Sequence, residues 1–336
     1  VLQPICGRIC PHEKQCQGSC VRGIKGEPVS IGNLEQFVGD MAIKENWKIQ
    51  TPDVELNKHV AIVGGGPAGI TAAAFLRRKG YKVTIYEKYQ ELGGILVHGI
   101  PEFRLPKEIV RETIRKILNT GIQVIYGAEL GKNITLEELK EQYDAILLTF
   151  GANISSKMNI EGEELEGVYG GNELLERNTH PDYSGKIVAV NGGGNTAMDV
   201  SRTIKKMGAK KVYVVYRRAR EQMPAEQKEI DDAMKEGVEF LFQNNIVKII
   251  GKDKVEKIEC IKTELIKQEG ESRLKPVNIE GSNYEIQVDY VVMAVGSRPD
   301  ENVLKSIKLE KNKWGYIQVN EFSQTSDEKV FCAGDI

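Results

Sequence analysis

The spacing of apolar and polar positions changes several times along this chain, and each change marks an element. Over residues 33–47, "NLEQFVGDMAIKENW" places apolar residues at helical intervals and predicts an amphipathic helix. The next stretch, "KIQTPDVELNKH", is polar, carries Pro52 and reads as a linker. From Lys58 the texture changes. "KHVAIVGGGPAGITAAAFLRRKGYKVTIYEK" predicts a buried strand, a glycine turn, an alanine-rich helix and a second strand. The same succession returns from Gly185 to Arg218 in "GKIVAVNGGGNTAMDVSRTIKKMGAKKVYVVYRR". Two such units, roughly 125 residues apart, form an internal duplication of fold.

Other stretches complete the two units. "YDAILLTFGA" (143–152) and "VDYVVMAVGSRPD" (288–300) are apolar runs ending in glycine, expected as the closing strands of two sheets. "VEFLFQNNIVKIIG" and "VEKIECIKTELI" predict an antiparallel excursion within the second domain. The chain ends on "VFCAGDI", a strand followed by a Gly-Asp turn.

Composition narrows the classes without naming a function. The 336 residues are 40% hydrophobic and 28% charged with a net charge of -2, room for two or three domains with substantial cores. A near-neutral balance argues against a broad nucleic-acid surface. No apolar run approaches the roughly 18 residues that a membrane span needs. No secretory pattern opens the chain, so a cytoplasmic protein is expected. The first residue is Val1 rather than methionine, and an absent natural N-terminus is expected. Thirty-four glycines exceed the usual level of about 7% and fall at strand-to-helix junctions.

Four of the six cysteines lie in "CGRICPHEKQCQGSC", at Cys6, Cys10, Cys16 and Cys20. Such clustering, with no export signal, favours a metal over disulfides. Sulfur donors suit zinc as well as iron–sulfur clusters, and His12 lies nearby as a loop residue after Pro11. Cys260 and Cys332 are isolated and expected to be small buried hydrophobes.

The two glycine turns carry more chemistry. In the first unit Gly64, Gly66 and Gly69 form GxGxxG between strand and helix. The first glycine permits the turn, the second lets backbone amides approach a pyrophosphate, and the third lets helix and strand pack closely. The helix N-terminus adds unpaired N–H groups and a positive dipole. Glu87 ends the second strand, where a carboxylate accepts hydrogen bonds from ribose hydroxyls. In the second unit Gly192, Gly194 and Ala197 occupy the three positions. There the second strand ends in "VYVVYRRAR". Arg217 and Arg218 can grip a ribose 2′-phosphate that a carboxylate would repel, with Arg220 as a further candidate. One dinucleotide site for a resident carrier and one for an exchangeable nicotinamide, preferably NADPH, are expected to cooperate in hydride transfer.

"HVAIVGGGPAGITAA", "EKYQELGGILVHGIPEFRLPK", "VNGGGNTAMDVSRT", "YRRAREQMPA" and "FCAGDI" together resemble the small (beta) subunit family of NADPH-dependent glutamate synthase, over essentially the whole chain. The resemblance implies an α/β fold. Two Rossmann-like dinucleotide-binding domains of the pyridine-nucleotide oxidoreductase type follow a small, mainly helical, cysteine-containing segment. The implied domains are a partial iron–sulfur domain (1–50), an FAD domain (58–152, completed by 296–336) and an NADPH domain (153–295). It places Gly64, Gly66, Pro67, Ala68 and Gly69 on the FAD pyrophosphate, and Glu87 with Lys88 at the adenosine ribose. Gly93, Gly94 and Leu96 would line the flavin, with Arg104 adjoining. Thr149 and Gly151 would stand at the closing turn, and Gly334 with Asp335 at the ribityl–phosphate region. For NADPH the resemblance implies Gly192, Gly194, Asn195, Thr196, Arg217 and Arg218.

In this family electrons leave through two [4Fe-4S] clusters. By resemblance Cys10 and Cys16 would serve one cluster and Cys20 the other, with Glu35 as a non-cysteine ligand; Cys6 has no assigned place. Two cubane clusters need about eight ligands. The chain is therefore expected to be a fragment at both ends, without an intact cluster and with its first 30 or so residues loosely held or reorganised. No CxxC follows "GGIL", so no dithiol exit is expected. The implied activity is electron input: NADPH reduces FAD, the clusters carry electrons on, and a large (alpha) subunit forms L-glutamate. The large subunit of an NADH-dependent ferredoxin:NADP oxidoreductase, a sulfide dehydrogenase-type enzyme and a non-catalytic nucleotide-binding module are the alternatives.

Overall fold

The computed structural model describes residues 1–177, 179–267 and 274–336. These fall into two compact units, residues 1–153 with 298–336, and residues 154–297.

The first unit begins with α1 (Gln3–Ile9) and α2 (Ile31–Lys44), packed on each other. Glycine makes this contact close. A Cβ at Gly7 would lie 2.4 Å from the Gln36 amide nitrogen, and one at Gly39 would lie 2.5 Å from Pro4 N. Arg8 closes the pair with a two-pronged bond to Asp40, both contacts at 2.8 Å. Ile5, 1% exposed, joins the core of the nucleotide domain that follows. Of the segment expected to be loosely held or reorganised, α1 is docked because its apolar side has a core to enter. The stretch after it has only single 3-10 turns, with Val21 and Ile24 exposed.

The nucleotide domain then runs β1 (His59–Val63), α3 (Pro67–Arg78), β2 (Lys82–Glu87), α4 (Ile95–His98), α5 (Lys107–Leu118), β3 (Gln123–Tyr126), α6 (Leu136–Gln142) and β4 (Ala145–Leu148). β1 and β2 are buried on both faces, as central parallel strands must be. Val60 and Ile62 of β1 face α3 and α5; Ala61 and Val63 face α6. α5 buries Val110, Thr113, Ile114 and Ile117, one helical stripe. α6 starts at a capping box in which Thr135 and Glu138 each satisfy the other's backbone N–H. The linker before β1 is anchored by Arg77, which donates to Glu55 and to Thr120 O.

The second unit contains β5 (Ile154–Ser155), β6 (Val168–Gly170), α7 (Gly171–Arg177), β7 (Ile187–Asn191), α8 (Asn195–Lys206), β8 (Lys211–Tyr216), α9 (Gln227–Lys235) and β9 (Glu239–Phe242). It continues through β10 (Asn244–Ile250), β11 (Lys257–Ile266), β12 (Lys275–Asn278), β13 (Tyr284–Gln287) and β14 (Tyr290–Met293). Its parallel sheet has the order β6-β14-β7-β8-β9. α8 and α9 cover one face through Met198, Ile204, Ile230 and Ala233. Of the expected antiparallel excursion, Glu239–Phe242 instead pairs parallel with β8 as the edge strand β9; the antiparallel part is β10-β11-β12 with β13 on β11, and its Ile246, Ile249, Ile258 and Cys260 cover the other face. Arg202, 7% exposed, ties α8 to α9 by donating to Glu236 at 2.8 and 3.0 Å and by pairing with Glu229.

After β15 (Ser297–Arg298) and α10 (Glu301–Ser306), β16 (Val330–Cys332) completes the first sheet in the order β16-β4-β1-β2-β3. Here the structure departs from the sequence reading. Neither β4 nor β14 closes its sheet, because β16 lies outside the first and β6 outside the second. Apolar strands of this kind need neighbours on both edges, and shorter strands supply them. Among the described residues no helix is long and apolar enough to cross a membrane.

The α1–α2 contact makes a direct prediction. Gly39→Ala should push α1 away at a cost of about 1–3 kcal/mol. Amide hydrogen exchange over residues 3–9 should then accelerate while exchange in β1 and β7 stays unchanged. Unaltered protection of α1 would show that the helix does not depend on this contact.

Candidate nucleotide-binding sites

The first glycine turn divides its three roles visibly. A Cβ at Gly64, whose φ is +109°, would lie 2.4 Å from Thr149 O, the residue after β4. A Cβ at Gly69 would lie 2.0 Å from Gly64 O, so this glycine sets how closely α3 packs on the turn. At Gly66 the nearest atom to a Cβ would be Gly94 Cα, at 3.9 Å. Gly66 is also the N-cap of α3, with no side chain bonded to the helix's first N–H groups. That leaves a cradle of backbone donors beside a dipole, which fits a pyrophosphate. Pro67 at the first helical position has no N–H to satisfy.

Around this turn the expected FAD residues take distinct positions. Glu87 is 4% exposed and accepts from Gly65 N–H at 2.8 Å and Tyr89 N–H at 2.9 Å. It holds the turn, and lone pairs remain on its carboxylate for ribose hydroxyls. Lys88 points to solvent over the Tyr89 ring, 4.6 Å from its centroid. Gly93 N–H donates to Gly65 O at 2.8 Å, and a Cβ at Gly94 would lie 2.9 Å from Gly66 Cα. These two glycines therefore adjoin the turn through backbone. Leu96 differs: its side chain is 3% exposed and belongs to the core. Arg104 sits on the bend after α4, its N–H bonded to Pro101 O. Thr149 bonds through Oγ1 to Val63 O and Gly64 O at 3.1 and 2.8 Å. Gly151, at φ +75°, has open surroundings. Gly334 lies against α3, where its Cβ would be 3.2 Å from that of Ala68, and this brings exposed Asp335 beside the helix N-terminus.

The second turn repeats the device. A Cβ at Gly192 (φ +147°) would lie 2.2 Å from Ala294 O, just beyond β14. At Gly194, the N-cap of α8, none of its neighbours would come nearer than Pro224 Cγ at 4.0 Å. Ala197 is fully buried as the helix packs on the strand. Asn195 and Thr196 form the first turn of α8, and Asn195 Oδ1 accepts from Glu226 N–H at 3.1 Å. Arg217 is exposed at the end of β8, and Arg218 Nε lies 3.4 Å from Leu274 O. Arg220 is drawn aside, paired with Asp231 on α9.

Sequence reasoning missed the middle glycines. A Cβ at Gly65 would strike Leu92 Cδ2 at 2.1 Å, and one at Gly193 would strike the Tyr216 ring at 2.5 Å. The unbroken triple glycine in both turns was the available signal.

The cysteine segment is less organised. Cys6 and Cys10 are half-buried on and just after α1, Cys16 is exposed, and all six cysteines are free. Burial pushes the Cys10 thiol up to about 12, with Cys6 and the Glu35 carboxylate adding to the rise. Burial likewise raises Cys6. Cys20 shifts the other way, because backbone N–H groups of Val29 and Arg22 face its sulfur. Cluster ligands must be thiolates, and among the described residues no three of His, Cys, Asp or Glu gather as a metal site. Cys260 and Cys332 are buried, and burial takes each thiol to about 12.

Known proteins match both parts of the chain. Residues 58–336 match the family model "pyridine nucleotide-disulphide oxidoreductase", and residues 1–47 match "dihydropyrimidine dehydrogenase domain II, 4Fe-4S cluster". The NADPH glutamate synthase small chain of Halomonas elongata is 35% identical over all of this chain and 75% of its own length. The beta subunit of NADP(+)-dependent formate dehydrogenase of Moorella thermoacetica is also 35% identical, across 51% of its length. Mycobacterium tuberculosis FprA in complex with NADPH shares the fold, with a TM-score of 0.72 and 21% identity over 82% of this chain and 78% of that one. The chain belongs to the pyridine nucleotide–disulphide oxidoreductase family, alongside the small chains of NADPH glutamate synthases, and is an NADPH-dependent FAD oxidoreductase of that type.

Proposed function

We propose that this chain is the electron-input unit of a glutamate synthase, taking reducing equivalents from NADPH and delivering them to a large subunit that forms L-glutamate. The observation that carries the reading is the pairing of two glycine turns with opposite charges. Glu87 stands at the end of β2, and Arg217 with Arg218 at the end of β8. A carboxylate favours ribose hydroxyls and disfavours a 2′-phosphate, whereas an arginine pair does the reverse. FAD is thereby assigned to the first unit and NADPH to the second.

Bound FAD supplies the chemistry of accepting a hydride and releasing electrons singly. The protein's part is binding and orientation. Gly66 and Gly94 bring backbone close to the pyrophosphate, with Asp335 alongside, and Glu87 fixes both the turn and the adenosine ribose. On the NADPH side Gly194, Asn195 and Thr196 offer the first turn of α8, and the arginines select the 2′-phosphate. The cysteines outside the N-terminal segment, Cys260 and Cys332, are buried and sit in separate units.

The equal identity to a glutamate synthase small chain and to a formate dehydrogenase beta subunit has a simple reading. The shared part is the input machinery, and the acceptor is what differs. Glutamate synthase is preferred because its small chain is matched over 75% of its length and the formate dehydrogenase subunit over 51%.

Two substitutions test the cofactor assignments. Replacing Arg217 and Arg218 by alanine removes charge-assisted bonds of about 1.5–3 kcal/mol each. The preference for NADPH over NADH in steady-state kinetics should fall at least about tenfold; an unchanged ratio would place the phosphate site elsewhere. Gly66→Val puts a side chain where the backbone must approach the pyrophosphate. The purified variant should lack FAD, and flavin at wild-type stoichiometry would rule out the first turn as its site.

A further inference from the structure

Arg220 is the third arginine after β8, and its guanidinium is already engaged. Nη2 pairs with Asp231 Oδ1 on α9, and Nη1 lies 3.8 Å from Met234 Sδ. Gln227 Nε2 donates to the same Asp231 oxygen at 3.0 Å, so the carboxylate is held from two directions. Arg217 and Arg218 have no carboxylate partner among the described residues.

The backbone that carries Arg220 is tied to the second glycine turn. Ala225 N–H donates to Gly193 O at 3.1 Å, Glu226 N–H to Asn195 Oδ1 at 3.1 Å, and Tyr216 Oη to Gln222 O at 2.7 Å. The base of Arg220 is therefore fixed beside the nucleotide loop, two residues from Arg218 in sequence. Its head group alone is free to choose between partners. Side-chain exposures of 38% for Arg220 and 42% for Asp231 make the ion pair a screened, weak one. Two oxygens of a tetrahedral phosphate dianion can accept from the same guanidinium fork, so phosphate and Asp231 compete for Arg220.

We infer that Asp231 is a specificity-determining residue for the 2′-phosphate: it parks Arg220 on α9 and thereby limits the grip on NADPH to Arg217 and Arg218. The inference rests on the NADPH assignment above. Asp231 touches no part of the nucleotide itself and acts through Arg220. Neutralising it releases a third cation to the phosphate and leaves the unphosphorylated ribose unaffected.

The test is calorimetric binding of adenosine 2′,5′-bisphosphate and of ADP to the whole chain. Asp231→Asn should tighten the bisphosphate about tenfold, the scale of one charge-assisted hydrogen bond, with ADP affinity unchanged. Adding Arg220→Ala to Asp231→Asn should abolish the gain. An Asp231→Asn protein with wild-type bisphosphate affinity would overturn the proposal. So would a gain that survives in the double variant, since loss of a nearby like charge would then explain it without Arg220. A wild-type protein that binds the two nucleotides equally would instead refute the NADPH assignment, and the proposal with it.

Discussion

Both nucleotide units rest on one steric constraint: a backbone carbonyl from a neighbouring strand end presses on the first glycine of the turn. In the first unit the carbonyl is that of Thr149, and in the second that of Ala294. The two approaches leave no room for a side chain, and each is locked by backbone bonding. Thr149 N–H donates to Val63 O at 2.8 Å, and Ala294 N–H to Asn191 O at 2.8 Å. The turn, the following helix and the next strand are positioned from this contact. Because it is made of backbone, it repeats in two units whose side chains differ.

What separates the units is charge at the end of the next strand. Glu87 is buried, and two backbone N–H groups hold it in the first turn. Arg217 and Arg218 are held less tightly, on a loop that folds back over the second turn through Ala225 and Glu226.

Much of this was legible in the sequence because glycine spacing reports backbone geometry directly. The strand–turn–helix units, the antiparallel excursion and the charge contrast follow from local pattern. Long-range placements did not. β16 and β6 are short strands whose value lies in capping the edges of β4 and β14, and nothing local distinguishes them from extended loop. Leu96 was read as a flavin-lining residue from its place after Gly93 and Gly94, yet the turn of α4 directs its side chain into the core. The docking of α1 was hidden because it depends on Gly7 meeting Gln36 and Gly39 meeting Pro4 across a long loop. Ion pairing between Arg220 and Asp231 was likewise invisible, since a loop and a helix start intervene.

The most direct test of the account is anaerobic stopped-flow mixing of the FAD-loaded chain with NADPH and, separately, NADH. Oxidised-flavin absorbance should fall rapidly with NADPH and much more slowly with NADH at equal concentration. Equal rates with both coenzymes, or no bleaching with NADPH, would contradict it.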